Sequence, residues 1–204
     1  MKKITVIMLL MTLAFISAGV TMTGCSSGDS PTTSSTNDPP ESDGQPRMPS
    51  FRLETLDGGM LSNEDLLGTP TVINFGASWC GPCEYEAPAI KKVSESQTGV
   101  RFVGIAVKDS PEAQQQFVDK HGWQFTIAMD YAGTVVTDFQ KEALMPRGAI
   151  PTTFFIDSAG NIADVYLGPI SESDLIRLTS ELQEADAAAK DKTGTSAVDT
   201  PPAY

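Results

Sequence analysis

Thr71-Val72-Ile73-Asn74-Phe75-Gly76-Ala77-Ser78-Trp79-Cys80-Gly81-Pro82-Cys83 is the stretch that decides the architecture of this chain. Thr71 to Phe75 is a short run rich in β-branched and aromatic residues, the pattern of a buried strand. From Cys83 to about Ser96 the pattern turns helical, so two cysteines stand at a strand-to-helix junction. Pro88 falls inside that helix and predicts a kink there.

The junction also sets the chemistry. A sulfur at a helix N-terminus meets unsatisfied backbone N–H groups and the positive end of the helix dipole. Both favour the anion, so a thiol pKa of ~8.5 falls to ~7 or below. Cys80 is the nucleophile on this argument. Cys83, one turn further in, attacks the mixed disulfide formed between Cys80 and a substrate. Pro82 stiffens the turn, and Gly81 lets the backbone bend where a partner approaches. Read structurally instead, a Cys-x-x-Cys pair is half a zinc site and needs two further nitrogen or sulfur ligands. His121 and Cys25 are the only remaining candidates, and Cys25 has another use, so no metal is expected. His121 is expected to cap its own helix end.

Outward from this core, strands and helices alternate. Phe51-Arg52-Leu53 and Met60-Leu61 flank Asp57-Gly58-Gly59 as a hairpin, and Ser62-Asn63-Glu64-Asp65 resembles a capping box opening a short helix. Arg101 to Val107 reads as a strand, and Ser110-Pro111 as the start of a helix ending at His121. A short strand is expected over Phe125 to Met129. Thr152 to Asp157 and Asn161 to Leu167 flank Ser158-Ala159-Gly160 as a second hairpin. Ser171 to Asp174 caps a last helix with Leu175, Ile176, Leu178 and Leu182 inward. The fold class is α/β with a mixed sheet. Trp123, Phe75, Phe102, Phe154 and Phe155 are assigned to the core, whereas Trp79 serves either packing or a flat apolar contact for partners.

The ends differ from the middle. Lys2 and Lys3 precede an apolar run from Ile4 to Ile16, too short for a stable membrane span, which makes residues 1–24 a signal peptide. Met22-Thr23-Gly24-Cys25 resembles a bacterial lipobox, with Cys25 as the lipidated anchor; an ordinary cleavage site with a free Cys25 is the alternative. Residues 25–49, poor in apolar side chains, read as a disordered tether. As a flexible coil it would span about 25–30 Å. A single folded domain is expected over residues 50–184, followed by a disordered tail over 185–204. The leader carries +2, residues 26–50 carry −3 and the tail −1, leaving −10 of the total −12 on residues 51–184. So acidic a body argues against nucleic acid as a partner.

Trp79-Cys80-Gly81-Pro82-Cys83 after its strand, with Ile150-Pro151-Thr152 far downstream, resembles thioredoxin over about residues 50–184. Within that superfamily the chain is most similar to the TlpA/ResA-like group. The resemblance implies a thioredoxin-like mixed sheet flanked by helices, with an N-terminal β-hairpin and a central insertion, for which residues 108–145 have the length. It implies a cis peptide at Pro151 beside a Cys80–Cys83 disulfide. It also implies that the backbone of Ile150 pairs with an extended segment of the partner. Glu86, one helical turn beyond Cys83, is a candidate proton carrier, because a partly desolvated carboxyl has a raised pKa and takes a thiol proton. An acidic residue at this spacing has that role in the ResA-like group, whereas ordinary thioredoxins use a buried aspartate where this chain has Asn74. The competing reading makes Glu86 a solvated surface charge, as Glu84 is expected to be.

Electron flow is the open question at this stage. Gly81-Pro82 matches reducing thioredoxins and favours a membrane-anchored reductase. It would receive electrons through a membrane redox partner and act on exported proteins, apocytochrome c among them. The alternatives are a disulfide-forming oxidant and a protein that binds copper(I) through its two thiolates.

Overall fold

The computed structural model describes residues 44–195. The signal segment, Cys25, most of the tether and residues 196–204 lie outside them. A two-stranded antiparallel hairpin comes first, β1 (Arg52–Glu54) and β2 (Met60–Ser62), then a 3₁₀ turn at Glu64–Leu66. There follow β3 (Thr71–Gly76), α1 (Gly81–Ser96), β4 (Arg101–Val107), α2 (Pro111–His121), β5 (Thr126–Asp130) and α3 (Thr134–Glu142). The chain closes with β6 (Thr152–Ile156), β7 (Ile162–Leu167) and α4 (Glu172–Thr195). The main sheet runs β5-β4-β3-β6-β7. Its first three strands are parallel, and β6 and β7 are antiparallel additions.

Side chains alternate across the pleat, so each strand feeds two cores. Ile73, Phe75, Val103, Ile105 and Phe154 pack on one face with Val136 and Phe139 of α3 and Leu61 of the hairpin. Val72, Phe102, Ala106 and Phe155 pack on the other with Ile90 and Val93 of α1, Phe117 of α2 and Leu175 of α4. Asn74 and Gly76, in step with Val72, therefore face α1. Trp123 and the four core phenylalanines are buried, as expected.

Several boundaries differ from the sequence reading. α1 starts at Gly81 with Cys80 as its N-cap residue, two positions before the expected start. The capping-box sequence yields only the 3₁₀ turn: the Asp65 carboxylate accepts from the Ser62 N–H at 2.9 Å and from its hydroxyl at 2.7 Å, and Asn63 makes no cap bond. α2 behaves as expected, its Ser110 Oγ accepting from the Ala113 N–H at 3.2 Å and Gly122 closing it in the left-handed region.

The tether ends earlier than residue 49. Ile162 N–H donates to the Pro46 carbonyl at 2.7 Å, Met48 N–H to the Gly160 carbonyl at 3.0 Å, and the Met48 side chain joins the core. Its apolar side chain and two strand-like bonds order this short segment. At the other end α4 runs on to Thr195, past the expected fraying point at Ala185. Asp186 explains part of this, since its buried carboxylate accepts from the Ser158 N–H and from Lys190 Nζ, both at 2.8 Å. Ile176 is corrected from inward to 39% exposed; Thr179, fully buried, takes the place between Leu175 and Leu182 that helical spacing assigns to the inner face. Among the described residues no helix is long and apolar enough to cross a membrane.

Candidate active site

β3 ends at Gly76, and the turn after it is pinned before the first cysteine. Ser78 N–H and hydroxyl both donate to the Asp109 carboxylate, at 2.6 and 2.9 Å, and Cys80 N–H donates to the Ala77 carbonyl at 3.1 Å. Cys80 and Cys83 are joined by a disulfide, and both are buried, at 5% and 3% exposure. Cys83 N–H points at Cys80 Sγ from 3.3 Å. This is a helix-terminal donor aimed at the sulfur that must carry negative charge once the bond opens.

Glu86 is not a surface charge. It is 1% exposed, and each carboxylate oxygen accepts one bond: Oε1 from Asn74 Nδ2 and Oε2 from the Ile170 N–H, both at 2.8 Å. Burial pushes its pKa up to about 7, against the lowering effect of the Ile170 and Asn74 donors. A Cβ placed on Gly76 would lie 3.3 Å from Cys83 Sγ and 3.6 Å from Asn74 Oδ1, so the sulfur and the amide flank the same glycine. The second Asn74 N–H donates to Thr153 Oγ1 of the neighbouring strand at 3.0 Å.

The Ile150–Pro151 peptide is cis. Ile150 packs against Ala77, Cys80 and Cys83. Among the described residues, nothing bonds the backbone N–H or C=O of Ile150, whereas the next carbonyl, on Pro151, accepts from Gly168 N–H at 2.9 Å. A short edge of free backbone thus lies beside the sulfurs. Trp79, 62% exposed, is held by its Nε1–H donating to the Lys108 carbonyl at 3.2 Å, so it lies on the surface and not in the core.

Glu84 lies toward solvent, as expected, but it has partners. Its carboxylate meets Lys120 Nζ at 2.8 Å and His121 Nε2 at 2.9 Å, and the Lys120 bond leads in holding its pKa below the usual value. His121 therefore clamps α2 to α1 and packs at a tilt against Phe117, with ring centroids 4.5 Å apart; it does not cap its helix. No group of three or more potential metal-ligating His, Cys, Asp or Glu side chains occurs among the described residues. Sequence reasoning missed Asp109 and the Ile170 N–H. Asp109 sits in a loop 31 residues from Ser78, and a backbone amide carries no sequence signal.

Comparison with known proteins agrees with this geometry. The model of the AhpC/TSA family matches residues 45–165. The thiol-disulfide oxidoreductase ResA of Bacillus subtilis is 33% identical over 128 residues, covering 61% of this chain and 68% of the relative. A thiol:disulfide interchange protein DsbE homolog of Paracoccus denitrificans is 34% identical over 144 residues, covering 69% and 75%. Among solved structures, MTB DsbF in its mixed oxidized and reduced forms is 37% identical with a TM-score of 0.57, covering 65% of this chain and 94% of that one. A cysteine pair at a helix N-terminus, on a thioredoxin-like sheet and in such company, places the chain in the AhpC/TSA family as a TlpA/ResA-like thiol–disulfide oxidoreductase.

Proposed function

We propose that this enzyme works outside the cytoplasm, anchored by a lipid on Cys25, as a reductase of exported proteins. The observation that carries the direction is the Gly81-Pro82 bridge between the sulfurs, which offers no charged side chain. Strong oxidants owe their potential to a stabilised reduced form, in which the nucleophilic thiolate is held by nearby donors and charge. Here the Cys83 N–H is the donor aimed at Cys80 Sγ, and the cation nearest the start of the helix, Lys120, is already paired with the Glu84 carboxylate.

The cycle balances as a two-electron exchange. Cys80 thiolate attacks a client disulfide, its S–S bond breaks, and one client sulfur leaves and takes a proton from solvent. Cys83 then gives its proton toward Glu86 and attacks Cys80 Sγ. The mixed disulfide breaks, the second client sulfur leaves and is protonated from solvent, the Cys80–Cys83 disulfide forms, and Glu86 releases its proton to solvent, so that the client keeps two electrons and two protons. Glu86 serves as the acceptor, its pKa of about 7 matching a base that must take and return a proton near neutrality. Ile150 and Pro151 bind the client backbone, and Trp79 provides an apolar contact. A membrane dithiol donor restores the reduced form. Apocytochrome c, an exported protein with two cysteines to be kept reduced, fits the client class.

The reduction potential of the Cys80/Cys83 couple, measured against defined thiol buffers, tests the direction. A value near the ~−270 mV of thioredoxin supports a reductase, and one near ~−120 mV makes the protein a disulfide-forming oxidant. Copper(I) binding is disfavoured by the burial of both sulfurs under Ile150. Titration of the reduced protein with copper(I), showing no tight stoichiometric binding, is the expected outcome.

A further inference from the structure

Gln140 sits in the last turn of α3, the helix of the central insertion, and its side chain is fully buried. Buried glutamines are rare unless both ends of the amide are bonded. Gln140 reaches across to the loop that delivers the cis peptide: Nε2–H donates to the Ala149 carbonyl at 2.7 Å, and Oε1 accepts from the Gly148 N–H at 2.6 Å. Its own carbonyl accepts from the Met145 N–H at 2.7 Å. A single residue thus holds three points of the loop between α3 and β6. Thr152 Oγ1 donates to the same Ala149 carbonyl at 2.7 Å.

The bonding changes at the next residue. Ala149 C=O is bonded twice and Pro151 C=O once, but Ile150 between them has backbone groups that no described residue bonds. With its flanking carbonyls fixed, Ile150 offers an N–H and a C=O in a set direction while its side chain lies on the cysteines. Fixing such an edge in advance removes ordering cost when an extended segment pairs with it.

We propose that Gln140 is a positioning residue for client recognition: by imitating a strand partner for Gly148 and Ala149, it holds the Ile150 edge in register with Cys80. The central insertion then serves to brace the client-binding loop and does not touch the sulfurs. This rests on the reading of Ile150 as the edge to which clients pair.

The test uses the full chain with Gln140→Met, which keeps length and burial but removes both amide bonds. Oxidation of the reduced protein is followed with insulin as the protein disulfide and with oxidised glutathione as a small one. For insulin, KM is expected to rise by roughly 10- to 100-fold, the scale of a misplaced positioning group, with kcat little changed. The glutathione rate and the reduction potential are expected to stay as in the wild type. Thr152→Val, which removes the other donor to Ala149, is the second variant should Gln140→Met not fold, and a smaller rise in the same KM is expected. Equal losses with insulin and glutathione, or an unchanged insulin KM, would overturn the proposal. Amide exchange at Ile150 in the mixed disulfide of Cys83→Ser with an insulin chain tests the underlying reading separately. Protection there with an unchanged KM in Gln140→Met removes only the role of Gln140, and an unprotected Ile150 removes both.

Discussion

Replacing Glu86 by glutamine removes a buried ionisable group while keeping its size. In the wild type the folded carboxyl titrates near 7 and the unfolded one near 4.5. Below pH 4.5 both states are protonated and Glu86 has no pH-dependent effect. Between 4.5 and 7 the unfolded chain ionises first, so stability is lost as pH rises, and the loss is complete above 7. Two and a half pH units at 1.36 kcal/mol each amount to about 3 kcal/mol. Glu86→Gln lacks this slope. Its absolute stability gains less than this, because the amide NH2 replaces one of the two acceptor oxygens and faces either the Asn74 or the Ile170 donor. The donor left over costs about 1–3 kcal/mol. The assay is therefore urea unfolding of the oxidised protein at several pH values from 4.5 to 8, wild type beside variant. The expected result is a wild-type stability that falls by about 3 kcal/mol relative to the variant across that window. Parallel curves would refute the assignment of a buried, high-pKa carboxyl. In the same variant, resolution of the mixed disulfide by Cys83 is expected to slow by about 10²-fold or more near neutral pH, the usual share of a positioned base.

Other outcomes follow from named contacts. Cys80→Ser abolishes turnover, whereas Cys83→Ser accumulates covalent adducts with clients, visible on a non-reducing gel and lost with dithiothreitol; the absence of any adduct would reverse the assigned roles. Asp186→Ala removes the acceptor for Ser158 N–H and lowers stability by about 1–2 kcal/mol in chemical unfolding, whereas a purely disordered tail would give no change. Gln114 is buried and no group among the described residues bonds its Oε1, so Gln114→Met is expected to raise the unfolding midpoint, by about 1 kcal/mol equivalent; a fall would show that the amide is satisfied in solution.

The fold was legible where the sequence carries strong local patterns. β4 is apolar from Phe102 to Val107 and α2 carries serine, proline and glycine at its ends, so both lie where their residues predict. The redox pair was legible from spacing, and Glu86 from one helical turn of separation. What stayed hidden is long-range and polar. That Glu86 is sealed from water depends on α4, whose preceding loop brings the Ile170 N–H across 84 residues of sequence. Gln140 reads as an ordinary helix residue until the loop to β6 folds back on it. Arg47 and Met48, in a polar stretch, look like tether until the turn at Ser158 to Gly160 supplies partners.

The bonds of Pro46 to Ile162 and of Met48 to Gly160 fix the pole at which the chain enters the domain. β6 begins beside the cis peptide at Thr152 and ends at Ile156, with the docking turn just beyond. Five residues of extended chain separate the two by about 16 Å, so the chain enters at the end of the sheet remote from Cys80. A lipid on Cys25 would then restrain the far pole and leave the sulfurs free to sweep the surrounding space. A donor embedded in the membrane would then meet the sulfurs only after the domain had turned over. The length of residues 25–44 would accordingly govern how often it is recharged, more than it governs how often it finds a client.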